Sequence, residues 1–220
     1  MSKVGDAILR ELIHRSPIFT TKNVADAARV RNEVASRYLN QQAKKGVIAR
    51  ITRGIWADSR HPDFSPYAVV PFLLGVNGAQ QGGYISLLSA LSLRRMIEQI
   101  PRSIQVVSHV QRRPLRTPVG TYEFHRMHSD LLGGSEPYGQ FGNFEVATAA
   151  KAMFDTIYFS VRRGRRFSHL PEIQLTSEFK ISEFNEWIRR IPYPRLQVAV
   201  CTRWRQPQRD SIQSPRSVSD

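Results

Sequence analysis

Five polar residues recur at helical spacing between positions 33 and 44: Glu33, Ser36, Arg37, Asn40 and Lys44. At about 100° per residue they share one side of a helix. Val34, Ala35, Tyr38 and Leu39 fall on the other, core-facing side. The polar types match base edges: an arginine fork fits guanine, a carboxamide fits adenine, and a carboxylate accepts from cytosine. A solvated surface helix also has a polar face, so the next residues give this one its direction. Gly46 ends the helical pattern. Val47–Ile51 and Ile55–Ala57 then read as short strands around a Thr52-Arg53-Gly54 turn. Alternation puts Val47, Ala49 and Ile51 on one face, with Ile48 and Arg50 on the other. Arg50 and Arg53 thus sit on a basic hairpin, suited to phosphate or a minor groove. Helix, glycine stop and basic hairpin outline a winged helix-turn-helix. Thr21, Lys22 and Asn32, at the starts of two helices, complete the contact set expected for double-stranded DNA.

Other constellations are weaker. Glu123, His125, His128 and Asp130 form the one acidic–histidine cluster, the residue types of a two-histidine, carboxylate metal site. On a strand, Glu123 and His125 share a face while His128 lies past the end, so an ordinary polar strand and turn explains them better. Cys201 has no histidine or acid near it in sequence, and Ser86 and Ser89 stand at a helix start, where capping accounts for them. Gly82-Gly83 precedes a helix without the lysine and hydroxyl of a phosphate-cradling loop. The sequence therefore predicts no catalytic residues, no metal, no cofactor and no enzyme activity. Arg162, Arg163, Arg165 and Arg166 make the densest charge run; they repel one another without an anion, which marks a secondary contact for nucleic acid or an acidic partner.

The overall charge agrees with a polyanionic partner. The 220 residues carry 32 basic and 18 acidic side chains, a net +14. Only six of the basic residues are lysine, and arginine is the residue suited to forked contacts with phosphate and guanine. Residues 1–60 carry +7 and residues 161–220 carry +6, flanking a middle of +1. A single cysteine excludes a disulfide framework within the chain and a multi-cysteine zinc site. No apolar run reaches the roughly 18 residues of a membrane span. Residues 1–6 lack the apolar region of a signal peptide. The expected location is the cytoplasm, with no membrane partner.

Ala7, Ile8, Leu12 and Ile13 predict a first helix stopped by Ser16-Pro17. Val24, Ala27 and Ala28 predict the buried face of a second, after cap candidates Thr20 and Thr21. The third spans 33–44 with Asn32 as its N-cap. A proline-bearing linker covers 61–66. Helices are then expected over 67–74, from Tyr84 to Met96 with Ser86 as cap, over 146–158 and over 179–191. Strands are expected at 104–108 and 122–127. The fold class is α+β: a winged helix-turn-helix domain at 1–60, a mixed α/β domain at 67–205, and a flexible polar tail at 206–220.

Four pieces carry a family likeness. They are the hairpin from Gly46 to Trp56; Gly83 to Leu91 with Glu98-Gln99-Ile100-Pro101 and the strand at Ile104; Val146 to Asp155; and Leu170-Pro171-Glu172-Ile173. In this order and spacing, over about residues 5 to 205, the chain resembles the AbiEi family, antitoxins of AbiE-type (type IV) toxin–antitoxin systems. The resemblance implies an N-terminal domain that binds operator DNA and represses its own operon, and a C-terminal domain that opposes a nucleotidyltransferase-like toxin. Some relatives act in phage defence. Paired half-sites would favour a homodimer on DNA. Two further readings stay open: an interaction protein that masks a toxin or nucleic acid through a basic C-terminal domain, and a nucleic-acid-processing enzyme using Glu123, His125 and Asp130.

Overall fold

A computed structural model describes residues 3–75, 82–139, 143–162 and 170–212. The elements run α1 (Lys3–Arg15), β1 (Ile18–Thr20), α2 (Thr21–Ala28), α3 (Asn32–Lys44), β2 (Ala49–Thr52), β3 (Ile55–Ala57), α4 (Val70–Leu74), β4 (Gly83–Ile85), α5 (Leu87–Leu93), β5 (Ile104–Ser108), β6 (Leu115–Thr117), β7 (Gly120–Arg126), β8 (Ser135–Tyr138), β9 (Phe144–Ala147), α6 (Ala149–Val161), α7 (Ile181–Arg189) and α8 (Pro194–Ile212). Short 3-10 turns stand at Pro66–Val69 and Ser129–Leu131. Helices and two sheets mix in an α+β arrangement, and the chain divides into two compact units: 1–81 with 113–123, and 82–112 with 124–220.

In the first unit, three helices enclose a core of Leu9, Phe19, Val24, Ala25, Ala35, Tyr38, Leu39, Ile48 and Trp56. A three-stranded antiparallel sheet, ordered β1-β3-β2, closes one side. The strand β1 was not expected. Three residues after Pro17, the last of them the helix cap, are too few for a periodic signal, and Ile18–Thr20 pairs as a strand with Ala57–Ile55. Helix α2 buries Val24 and Ala25 while Ala27 is exposed, one residue away from the expected face. Helix α3 begins at Asn32, so Asn32 is the first helical residue and Arg31 takes the cap position with no side-chain cap bond. At its other end Gly46 adopts φ +70° and the Val47 amide donates to the Gln42 carbonyl, the six-to-one bond that stops a helix.

Strand alternation fails in β2. A register shift between Arg50 and Thr52 inserts a bulge, so Ile51 turns inward and Ile48 is buried as well, while Arg50 is exposed. The hairpin of β6 and the start of β7 also belongs to this unit, paired Leu115↔Tyr122 and Thr117↔Gly120. The Tyr122 hydroxyl donates to the Pro66 carbonyl at 2.8 Å, tying that hairpin to the turn before α4.

In the second unit the strands run β7-β5-β4-β9-β8, with β7 contributing from Phe124 onward. Strand β4 pairs antiparallel with β5 and parallel with β9. Every residue of β5 is buried, which fits a central strand covered on both faces. The expected helix beginning at Tyr84 is in fact β4 followed by α5. Likewise Val146 and Ala147 belong to β9, and α6 starts at Ala149. Helix α6 is buried from Ala149 to Ser160. A helix hydrophobic on all sides sits inside a core rather than on its surface. Helix α8 reaches Ile212, into the segment read as a tail; residues 213–220 lie outside the described residues. Among the described residues no helix is long and apolar enough to cross a membrane.

Candidate nucleic-acid interface

The polar face of α3 stands out from the first unit. Asn32, Glu33, Arg37 and Lys44 are exposed; Ser36 and Asn40 are half-buried. The exposed residues follow from the packing of the opposite face: Ala35, Tyr38 and Leu39 are in the core, and rigid burial of that side fixes which residues face water. The Asn40 amide nitrogen donates to the Ser36 carbonyl at 2.7 Å, so this carboxamide is partly committed to its own helix. Gln41 is exposed one turn beyond Arg37 and extends the same surface. Sequence reasoning passed over it, although its carboxamide offers the same paired contact to adenine as an asparagine. Glu33 lies in the first turn of α3, where a carboxylate also complements the helix dipole.

The hairpin beside α3 is anchored at its tip. Gly54 takes φ +80°, a conformation that favours glycine, and its carbonyl accepts from the Thr21 amide at 2.9 Å. The Thr21 hydroxyl in turn accepts from the buried Trp56 Nε1 at 2.9 Å. Thr21 therefore joins the start of α2 to the hairpin, a structural task beyond the DNA contact expected of it. Just ahead of it, Thr20 and Asn23 form a reciprocal capping box that holds the start of α2. Lys22 is exposed at this same corner. The Arg50 guanidinium lies 5.6 Å from the Trp56 ring centroid, and Arg53 is exposed at the turn. Stacking on an indole holds a guanidinium in place while leaving its edge donors available for an anion.

No protein-family model and no curated protein matches this chain.

The remaining candidate residues are spread apart. His125 is 2% exposed and packs on Phe159 at a 5.4 Å centroid distance, so it behaves as a core ring. His128 and Asp130 are exposed, and the His128 ring nitrogen accepts from the Asp130 amide. Glu123 falls in the other unit. No group of three or more histidine, cysteine, aspartate or glutamate side chains is placed to hold a metal ion among the described residues. Cys201 is a half-buried free thiol. Ser86 stands at the N-cap of α5, as expected, but its side chain makes no cap bond: the hydroxyl donates to Asp155 at 2.7 Å, and Ser89 donates to the Ser103 carbonyl. Arg162 is described and exposed; Arg163, Arg165 and Arg166 lie outside the described residues.

One polar cluster escaped the sequence reading. Lys151 and Asp155 pair along α6 with both side chains 0% exposed. Asp155 accepts from Lys151, Ser86 and Tyr84, and Lys151 also donates to the Leu131 carbonyl at 2.7 Å. The ammonium lies 4.4 Å from the Trp187 ring centroid and 4.9 Å from that of Phe154. Burial pushes the Asp155 carboxyl up and the Lys151 ammonium down, while their mutual attraction pulls each back. With both charged groups hydrogen-bonded and no exposed surface, the cluster organises the core instead of meeting a ligand. The signal in the sequence was a lysine and an aspartate four apart inside an otherwise apolar helix.

Proposed function

We propose that this chain is a DNA-binding transcriptional repressor whose first unit is a winged helix-turn-helix. The observation that carries this reading is the exposed polar face of α3 set beside a basic hairpin whose tip is hydrogen-bonded to the start of α2. Helix α3 enters the major groove, with Arg37 and Gln41 reading base edges and Lys44 meeting phosphate. The hairpin is the wing, with Arg50 and Arg53 on phosphate or in the minor groove. The +7 charge of residues 1–60 supplies the electrostatic attraction. Extending this with the sequence resemblance, the protein acts in the cytoplasm as the antitoxin of an AbiE-type system. It represses its own operon as a homodimer and opposes a nucleotidyltransferase-like toxin without catalysing a reaction itself.

A gel-shift titration with the chain's own upstream DNA, against an unrelated duplex, tests the first part. Arg37→Ala should cost on the order of tenfold to a hundredfold in affinity for the operator and narrow the gap to unrelated DNA. Arg53→Ala should weaken both duplexes alike. Unchanged affinity in the double variant removes these residues from the interface. Co-expression with the protein encoded by the adjacent gene tests the second part: failure of the chain to restore growth sinks the antitoxin role while leaving DNA binding standing.

A further inference from the structure

The second unit contains a pocket of about 770 Å³. That volume lies within the range of about 300–1,000 Å³ typical of small-molecule sites. It forms where the end of β7 and the turn after it face the C-terminal end of α6 and the residues before α8. Three properties of its wall indicate what it takes.

The first is charge. Arg126 and Arg162 both line the pocket and are exposed, and no aspartate or glutamate lines it among the described residues. Two guanidinium groups without a carboxylate between them favour an anion, and their planar forks fit phosphate oxygens. The second is preorganisation. The Arg162 guanidinium lies 5.4 Å from the Tyr158 ring centroid and 5.8 Å from that of Phe159. Tyr158 and Phe159 meet edge to face, and His125 backs Phe159 from inside. An arginine already stacked on packed rings has less freedom to lose when an anion arrives. Burial pushes the Tyr158 phenol up, against the pull of Arg162, so its hydroxyl stays a proton donor. The third is an unfilled aromatic surface. Tyr193 lines the same pocket with 65% of its surface exposed, which leaves its ring open to stack on a planar group.

An anion clamp beside an open aromatic ring matches a ligand carrying a phosphate and a planar base. We infer that this pocket binds a nucleoside phosphate, either free or at the phosphorylated end of a strand. Arg126 and Arg162 take the phosphate, and Tyr193 stacks on the base. This site stands on its own residues and does not depend on the DNA-binding reading of the first unit.

Calorimetric titration of the full chain distinguishes the cases, with AMP, CMP, adenosine, inorganic phosphate, and a tetranucleotide with or without a 5′-phosphate. The nucleotide or the phosphorylated strand should bind at least about tenfold tighter than adenosine or inorganic phosphate, because only they engage both features. Tighter binding of the phosphorylated tetranucleotide than of AMP and CMP identifies a strand end; the reverse identifies a free nucleotide. Arg126→Gln, an exposed change, should weaken that binding at least about tenfold at an unchanged melting temperature. Tyr193→Ala should weaken nucleotide binding and leave phosphate binding as it was. Absence of heat with every ligand at millimolar concentration overturns the proposal. So does inorganic phosphate binding as tightly as AMP, or an Arg126→Gln protein that binds as well as the parent. Arg162→Gln should weaken nucleotide binding as Arg126→Gln does; should it fail to fold, the Arg126 and Tyr193 variants decide the matter.

Discussion

At Lys151 the side chain's surroundings decide its role. A lysine with no exposed surface is tolerated because Asp155, the Leu131 carbonyl and the faces of Trp187 and Phe154 replace water around it. Removing one partner leaves the other charge buried alone, which costs about 3–5 kcal/mol. Lys151→Met should therefore lower the unfolding free energy by roughly that amount, and Asp155→Leu by a similar one. The double variant should lose less than the sum of the two, since an apolar pair leaves no unpaired charge. Denaturant unfolding of the four proteins measures this, and strict additivity would refute the coupling. Two buried tyrosines make a separate prediction. Burial raises the Tyr84 phenol, with Asp155 adding to the effect, and burial alone raises that of Tyr122. In the unfolded chain both ionise near pH 10. A phenol raised in the folded state adds stability that is fully present below that pH and is lost as pH rises above it. Each tyrosine should contribute a fall of about 1.4 kcal/mol per pH unit. Urea unfolding across this range should show a shallower decline for Tyr122→Phe; an unaltered decline would exclude the tyrosine as its source.

At the scale of elements, the β2–β3 hairpin depends on one turn. Gly54 has nothing within 4 Å of where a Cβ would stand, so its replacement is resisted by its φ of +80° and not by crowding. Gly54→Ala should cost about 1 kcal/mol of stability and loosen the bond from the Thr21 amide that fixes the hairpin tip. DNA affinity should fall with it although both hairpin arginines remain. Arg53→Ala should lower affinity with stability untouched. Thermal melting and gel shift together separate these outcomes, and a Gly54→Ala protein with parental affinity would show that the tip's position does not matter. The same element shows where local reading fails: alternation assigned Ile48 and Arg50 to one face, but β2 starts only at Ala49, and Ile48, ahead of it, is buried while Arg50 is exposed.

For the whole molecule, the net charge of +14, carried mostly by arginine, sets how binding responds to salt. Each phosphate contact contributes about −0.9 to the slope of log affinity against log salt on duplex DNA. Arg53→Ala should flatten that slope by about one contact, whereas Arg37→Ala should act mainly on sequence preference. Equal slopes for the parent and Arg53→Ala would take Arg53 off the phosphates. Charge, the three helical runs near the N-terminus, the glycine stop at Gly46 and the Arg53-Gly54 turn were all legible in the sequence, because each is a local property of composition, period or backbone freedom. Other features depend on residues far apart in the chain. The strand β1 needed Ala57–Ile55 to pair with; β4 needed β5, and β9 needed β8, to become strands at all. Asp155 met Tyr84 and Ser86 across about 70 positions, and the β6–β7 hairpin joined the first unit from beyond residue 112. Sequence alone thus determined the net basic charge and the polar face of α3. Only the tertiary structure decided which residues that charge leaves exposed, because burial and pairing are set by neighbours that local sequence does not contain.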